Sequence, residues 1–246
     1  MKLLIDDAVW GSNQIFSEFG EVVTLPGRQI SNESLKGFDA LIVRSRTKVD
    51  EKLLRGSKIK FVGSTVAGLD HIEKNYLEDN GIFLSSAQGC NANAVAEYVI
   101  SAIANLSKDY SFKLSNKTLG IIGAGNVGRK LEVKAKQLGM KTLLNDPPRE
   151  ALEGSDNFTS LESALSADIV TFHTPLTYSG PHPTYKLLDS HNFKHINKYA
   201  IVINAARGRI INEMIWEKTQ TKANIIDCWE NEPNINLNLQ KSAYWA

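Results

Sequence analysis

The sequence predicts an α/β protein built as two parallel-sheet domains, and three observations carry that expectation. Short apolar runs alternate with polar amphipathic stretches, the alternation restarts after one longer helix, and the first strand of the restart runs straight into a glycine-rich turn. Taken in order, the runs at 3–5, 22–25, 40–43, 61–62 and 82–84 read as the first set of strands. Val95, Tyr98, Val99, Ala102, Ile103 and Leu106 then recur at helical spacing, with Asn91 or Asn93 placed to cap them, and this helix reads as the connector between the domains. Beyond it, the runs at 119–122, 142–144, 169–172, 200–203 and 224–226 form the second set. The domains expected are therefore 1–92 and 93–246. Parallel sheets of this kind bind ligands outside the carboxyl ends of their strands, so the loops after these runs are expected to face one cleft.

Composition narrows the function classes. With 246 residues, 42% hydrophobic and 22% charged, the chain can bury one large core or two modest ones. A formal net charge of +1 offers no broad positive field for nucleic acid or an anionic membrane surface, so small-molecule chemistry becomes the default. Cys90 and Cys228 form no CxxC pair and read as buried thiols in a reducing compartment. No run approaches the roughly 18 apolar residues of a membrane helix, and no signal peptide is legible, so the expectation is a cytoplasmic protein.

The most informative motif is Gly123-Ala124-Gly125-Asn126-Val127-Gly128, lying between an apolar strand and a helical pattern that Gly139 stops. Gly123 permits the tight turn, Gly125 lets the main chain touch a pyrophosphate, and Gly128 lets the helix pack against the strand. The phosphate would rest on unpaired N–H groups at the helix start. Asp146, eighteen residues beyond Gly128, stands where an adenosine ribose needs an acceptor, which favours NAD over NADP. The plainer reading of Asp146 is a turn acid before Pro147-Pro148, and Arg149 could face a 2′-phosphate.

Other strand ends carry further candidates. Arg44-Ser45-Arg46-Thr47-Lys48 combines three cations with two hydroxyls and reads as an anion grip or as a solvated basic turn. The small-residue loop 63–68 includes Thr65 and could hold a carboxylate or serve only as a connection. Arg207 follows the strand at 200–203 and reads either as a surface arginine or as a guanidinium that would fix a substrate carboxylate and polarise the neighbouring carbonyl. Asp227, Glu230 and Glu232 follow the next strand. Among the histidines, His71 reads as the start of a helix and His173 as a wall of the cleft. His191 and His195 lie four apart on a helical stretch that lacks the glutamate of a zinc motif, so no metal is expected.

These residues together resemble the D-2-hydroxyacid dehydrogenases. The resemblance extends along the whole chain and rests on Pro26-Gly27-Arg28, Val43-Arg44-Ser45 with Thr47-Lys48-Val49, Ala67-Gly68 with Asp70-His71, Gly89-Cys90-Asn91-Ala92 leading to Val95-Ala96-Glu97-Tyr98, the glycine fingerprint, Asp146-Pro147-Pro148-Arg149, and Phe172-His173-Thr174-Pro175-Leu176. It implies a flavodoxin-like substrate domain followed by a Rossmann NAD-binding domain. It also implies oxidation of a phosphorylated 2-hydroxy acid, 4-phosphoerythronate, at C2 with hydride passing to NAD, a step toward pyridoxal phosphate, in a homodimer. Carried over by position, Arg207 becomes the substrate-binding catalytic arginine and Glu232 the acid that partners a catalytic histidine. Ser45 becomes a substrate contact, and Asp146, Thr174, Ala205, Ala206, Arg207 and Asp227 become NAD contacts beside the backbone of Asn126 and Val127.

Two departures stand out. Val66 occupies the place of a substrate-binding threonine, with Thr65 one position earlier. The family's catalytic histidine, its last nucleotide-domain strand and its dimerisation region would follow Ala246, so the expectation for this polypeptide alone is little activity, a general acid/base being worth about 10²–10⁴-fold. Oxidation of another D-2-hydroxy acid, or NAD binding as a regulator without catalysis, remain the other readings.

Overall fold

The computed structural model describes residues 1–218, 221–230 and 235, and the chain divides into two compact units, Met1–Asn91 and Ala92–Ala246. In the first unit the elements run β1 (Lys2–Asp6), α1 (Ser12–Phe16), β2 (Glu21–Leu25), β3 (Ala40–Val43), α2 (Glu51–Leu54), β4 (Phe61–Ser64), α3 (Lys74–Asp79) and β5 (Phe83–Ser86). The sheet is wholly parallel in the order β2-β1-β3-β4-β5. Alternation explains why its central strands are apolar throughout. Leu4, Leu41, Val43 and Val62 pack against Leu35, Leu53, Leu54 and Leu77, while Leu3, Ile5, Ala40 and Ile42 fill the core on the opposite face.

The second unit opens on α4 (Ala92–Asp109) and continues through β6 (Thr118–Ile122), α5 (Asn126–Gln137), β7 (Lys141–Asn145), α6 (Pro147–Glu153), α7 (Leu161–Leu165), β8 (Ile169–Phe172), β9 (Ile201–Asn204), α8 (Glu213–Lys218) and β10 (Ala223–Ile226). Its parallel sheet runs β10-β9-β8-β6-β7, which repeats the strand order of the first unit. Ala96, Val99, Ile103 and Leu106 of α4, with Leu131 and Ala135 of α5, cover Leu119, Ile121, Ile169 and Ile203. On the other face Ala164 and Leu165 cover Val170, Phe172 and Val202. In each sheet the order reverses beside the first strand, between β1 and β3 and between β6 and β8, and the loops leaving those strands define the ligand-binding crevice of such folds.

Several expectations need correction. Asn93 lies inside α4, donating to Glu97 Oε1 at 2.8 Å, and caps nothing. Ile82 is spent closing α3, its N–H bonding Leu77 O at 2.8 Å after Gly81 at φ +64°, so β5 begins at Phe83. His71 does not start a helix. Its carbonyl accepts from Val49 N and Glu73 N returns to Val49 O, each at 2.8 Å, which holds 71–73 extended until α3 begins at Lys74. His191 and His195 share no helix, because Asp189 Oδ1 takes the N–H groups of His191 and Asn192 in a turn and only a single tight turn, Phe193–His195, follows. Cys90 is exposed, and Cys228 is half-buried. Among the described residues no helix is long and apolar enough to cross a membrane, and no cluster of three or more His, Cys, Asp or Glu could hold a metal.

Candidate functional site

In the second unit the glycine turn leaves β6 at the point where the sheet order reverses. Gly123 has φ +97°, donates to Asn145 O at 2.8 Å, and would place a Cβ 2.7 Å from His173 C and 2.8 Å from Thr174 N. A side chain there would have to displace the backbone leaving β8. Gly128 faces a still closer neighbour, with Gly123 O 2.1 Å from its Cβ position, so α5 lies directly against the turn. Gly125 differs from both: among the described residues nothing lies within 4 Å of its Cβ position. It is the N-cap of α5 and offers no side chain to the first N–H groups of the helix, those of Asn126 and Val127. Open space above uncapped helical amides at the positive end of a twelve-residue helix fits a pyrophosphate, so this observation supports the dinucleotide expectation.

Asp146 closes one side of the turn. Its Oδ2 accepts from Ala124 N at 2.8 Å and its Oδ1 from Arg149 N at 3.2 Å, so Asp146 is a turn acid that binds the glycine turn to the start of α6. It caps α6, whose first residues are prolines that need no N–H partner. Each carboxylate oxygen keeps a second lone pair for a sugar hydroxyl. Arg149 is turned to Glu153 at 2.7 Å, and Arg129 of α5 reaches the same carboxylate. Hydrogen bonding from Arg149 foremost holds Glu153 below the ordinary carboxylate range. The guanidinium that could have met a 2′-phosphate is thereby engaged by a carboxylate of its own helix.

The opposite wall comes from the end of β8. His173 Nε2 lies 2.9 Å from Thr171 Oγ1, while His173 Nδ1 and Thr174 Oγ1 are buried with no hydrogen-bond partner among the described residues. Two unmatched polar atoms beside Gly123 are costly unless something supplies their bonds. Burial pushes the His173 pKa down to about 4, so the ring is neutral at pH 7. Between that value and the ordinary one near 6.5, the unfolded chain binds a proton that the folded chain refuses. The stability gained is complete above about pH 6.5 and lost as pH falls toward 4, by up to roughly 3 kcal/mol. Urea unfolding at pH 7 and pH 4.5 should therefore show a steeper acid loss for the native chain than for His173→Gln; equal slopes would refute the assignment.

The loops after β9 and β10 meet in backbone contact. A Cβ on Gly208 would stand 2.1 Å from Trp229 O and 2.4 Å from Glu230 N. Buried Asn204 builds this rim, its Oδ1 accepting from Ala206 N at 3.2 Å and its Nδ2 donating to Arg207 O at 3.0 Å. Asp227 N donates to the Asn204 carbonyl at 3.0 Å, and Arg207 Nη1 donates to Ala206 O at 2.6 Å. Ala205, Ala206, Arg207 and Asp227 thus share one rim, whereas Glu232 lies outside the described residues. Tyr98 of α4 stands close enough that burial first, then Asp227 and Cys228, raise its pKa. Sequence reasoning missed Asn204 and Gly208 as the rim's builders; a polar residue ending an apolar strand, and a glycine directly after Arg207, were the available signals.

In the first unit the basic loop proves to be only partly free. Arg44, Ser45 and Arg46 are exposed, and Arg44 Nη1 also donates to Ala8 O at 3.1 Å. Thr47 is 3% exposed with its hydroxyl donated to Gly27 O at 2.9 Å, and Lys48 pairs with Asp50 at 2.9 Å. Only Thr47 of the five-residue cluster is buried; Arg44, Ser45, Arg46 and Lys48 are exposed, Lys48 within its surface pair with Asp50. Thr65, exposed just beyond β4, donates to Val43 O at 3.3 Å, which places it beside the start of the same loop.

Comparison with known proteins bears on both units. The family model described as "D-isomer specific 2-hydroxyacid dehydrogenase, NAD binding domain" matches residues 92–243. Over all 246 residues the chain is 59% identical to erythronate-4-phosphate dehydrogenase of Ruthia magnifica subsp. Calyptogena magnifica, and over 241 residues 54% identical to the protein of that name in Hydrogenovibrio crunogenus. The matched regions span 100% of this chain and 71% of the first relative, and 98% of this chain and 64% of the second. Among solved structures, the NAD+-bound 3-phosphoglycerate dehydrogenase of Entamoeba histolytica superposes with a TM-score of 0.79 at 26% identity, covering 99% of this chain and 85% of its own. The D-lactate dehydrogenase of Aquifex aeolicus, complexed with NAD and lactic acid, shares the fold with a TM-score of 0.78 at 19% identity, covering 100% and 82%.

Proposed function

The chain belongs to the D-isomer specific 2-hydroxyacid dehydrogenases, and from that premise we propose that it is an NAD-dependent dehydrogenase part or whole, acting on 4-phosphoerythronate to give 2-oxo-3-hydroxy-4-phosphobutanoate. The observation that carries the reading is the uncapped, open start of α5 at Gly125, in a chain 59% identical to a relative named for that substrate. NAD held there would accept a hydride from C2, and the C2 hydroxyl proton would pass to a general base outside the candidate site residues. These residues contribute binding and placement. The amides of Asn126 and Val127 hold phosphate, Asp146 accepts from the ribose, and Thr174 supplies a hydroxyl beside Gly123. Ala205 and Ala206 form the turn that presents Arg207 to the substrate carboxylate, with Asp227 on the same rim. Arg44, Ser45, Arg46 and Thr65 receive the substrate's anionic end, where paired guanidinium groups match a phosphate in charge and geometry.

Two titrations test this. NADH fluorescence should report binding to the native chain. Calorimetry with 4-phosphoerythronate and D-glycerate should show that the double variant Ser45→Ala, Arg46→Ala weakens the phosphorylated acid about tenfold or more while glycerate shifts less than about twofold. Equal loss for both acids would overturn the substrate assignment, and absence of NADH binding would overturn the cofactor assignment.

A further inference from the structure

Resting on the reading of 44–46 as the loop that receives a phosphate, we propose that a closed ring of contacts through Asp6, Ala8, Arg44, Thr47 and Gly27 presets that loop, and that Asp6 and Thr47 are its positioning residues. The ring can be followed atom by atom. Asp6 Oδ1 accepts from Ala8 N at 2.9 Å, and the Ala8 carbonyl accepts from Arg44 Nη1 at 3.1 Å. The Arg44 carbonyl accepts from Thr47 N at 3.3 Å, and the Thr47 hydroxyl donates to Gly27 O at 2.9 Å. Gly27 closes the circuit: a Cβ there would stand 2.3 Å from Asp6 Oδ2 and 3.0 Å from Thr47 Oγ1, so only a bare Cα fits against the carboxylate.

Three features show that the ring serves more than local packing. It joins the loops after β1, β2 and β3, and the first sheet reverses its order between β1 and β3, where a ligand is expected. Asp6 is fully buried, yet its Oδ2 has no hydrogen-bond partner among the described residues, a costly arrangement for a group that merely ends a strand. The ring also spends one edge of the Arg44 guanidinium on a main-chain carbonyl, which fixes the plane of the remaining donors that an anion would meet. A preset donor array binds without the ordering cost that a free arginine loop incurs. Alanine at Gly27 would drive the Asp6 carboxylate away from Ala8 and so loosen Arg44 through two intermediates.

The test uses the whole chain, with NADH affinity as a control carried by the second unit and melting temperature as a control for folding. Thr47→Val and Asp6→Ala should weaken 4-phosphoerythronate binding about tenfold or more, whereas Thr47→Ser, which keeps the hydroxyl, should stay within about threefold. Gly27→Ala should weaken it similarly, and the pair Gly27→Ala with Asp6→Ala should lose less than the two single losses combined, because both act on the Gly27–Asp6 contact while only the 3.0 Å approach to Thr47 Oγ1 remains. Unchanged affinity in Thr47→Val overturns the ring as a positioning device. So does a loss that Thr47→Ser fails to rescue, or one accompanied by equal loss of NADH affinity. If the native chain binds NADH but no 4-phosphoerythronate, the substrate reading itself has failed, an outcome distinct from native binding that the variants do not disturb.

Discussion

Gly128→Ala is expected to lower the melting temperature by about 6–12 °C and to abolish measurable NADH binding, the destabilisation being about 3 kcal/mol. The cause is a single contact. The added methyl would lie 2.1 Å from the Gly123 carbonyl oxygen, which belongs to backbone rather than to a side chain that can swing aside. Relief requires α5 to move off β6, and α5 also carries Leu131 and Ala135 into the core beneath α4. Gly125→Ala is the informative companion. Gly125 has φ −74° and open space at its Cβ position, so melting should change by less than about 2 °C, yet NADH affinity should fall about tenfold or more as the methyl occupies the room required by phosphate. Differential scanning calorimetry and NADH fluorescence separate the two effects. A Gly125→Ala chain that binds NADH like the native protein would remove the pyrophosphate from this turn.

The second large effect concerns Asp146, where stability and ligand affinity are expected to fall together. Both carboxylate oxygens are acceptors, one for Ala124 N and the other for Arg149 N. An amide has only one acceptor oxygen, so Asp146→Asn must turn its NH₂ toward one of these N–H groups and leave that donor unmatched. Asparagine is ordinarily as good a helix cap as aspartate, but here it should cost about 1–3 kcal/mol, comparable to Asp146→Ala. On the proposed role as ribose acceptor, Asp146→Ala should weaken NADH about tenfold or more, and Asp146→Asn should do the same to the extent that its one acceptor oxygen is held by a backbone N–H. Chemical denaturation with parallel NADH titration gives both readings. Native-like stability of Asp146→Asn would show that one of the two backbone bonds is dispensable.

The legible parts of the molecule were those whose signal is local. Buried parallel strands must be apolar on both faces, so 40–43 and 169–172 matched β3 and β8 to the residue. The glycine spacing was readable for the same reason: Gly123 at positive φ, Gly125 uncapped and Gly128 in backbone contact are each demanded by geometry within a few residues. Element ends were harder, because Ile82 and Asn93 have the chemistry of a strand residue and a cap but were claimed by α3 and by Glu97. The role of Thr47 was unreadable in a basic stretch, since its partner Gly27 lies 20 residues away.

By itself the sequence determined the class of fold, the place of the glycine turn and the strand ends from which the candidate side chains hang, since apolar periodicity and glycine spacing act over single elements. Only the tertiary structure decided which polar groups are spent and which are open: Arg149 paired with Glu153, Thr47 given to Gly27, Asp146 holding two amides, and His173 kept neutral by burial. The physical reason is that hydrogen bonds and desolvation depend on distances between segments remote in the chain, and these exist only once both faces of each sheet are covered.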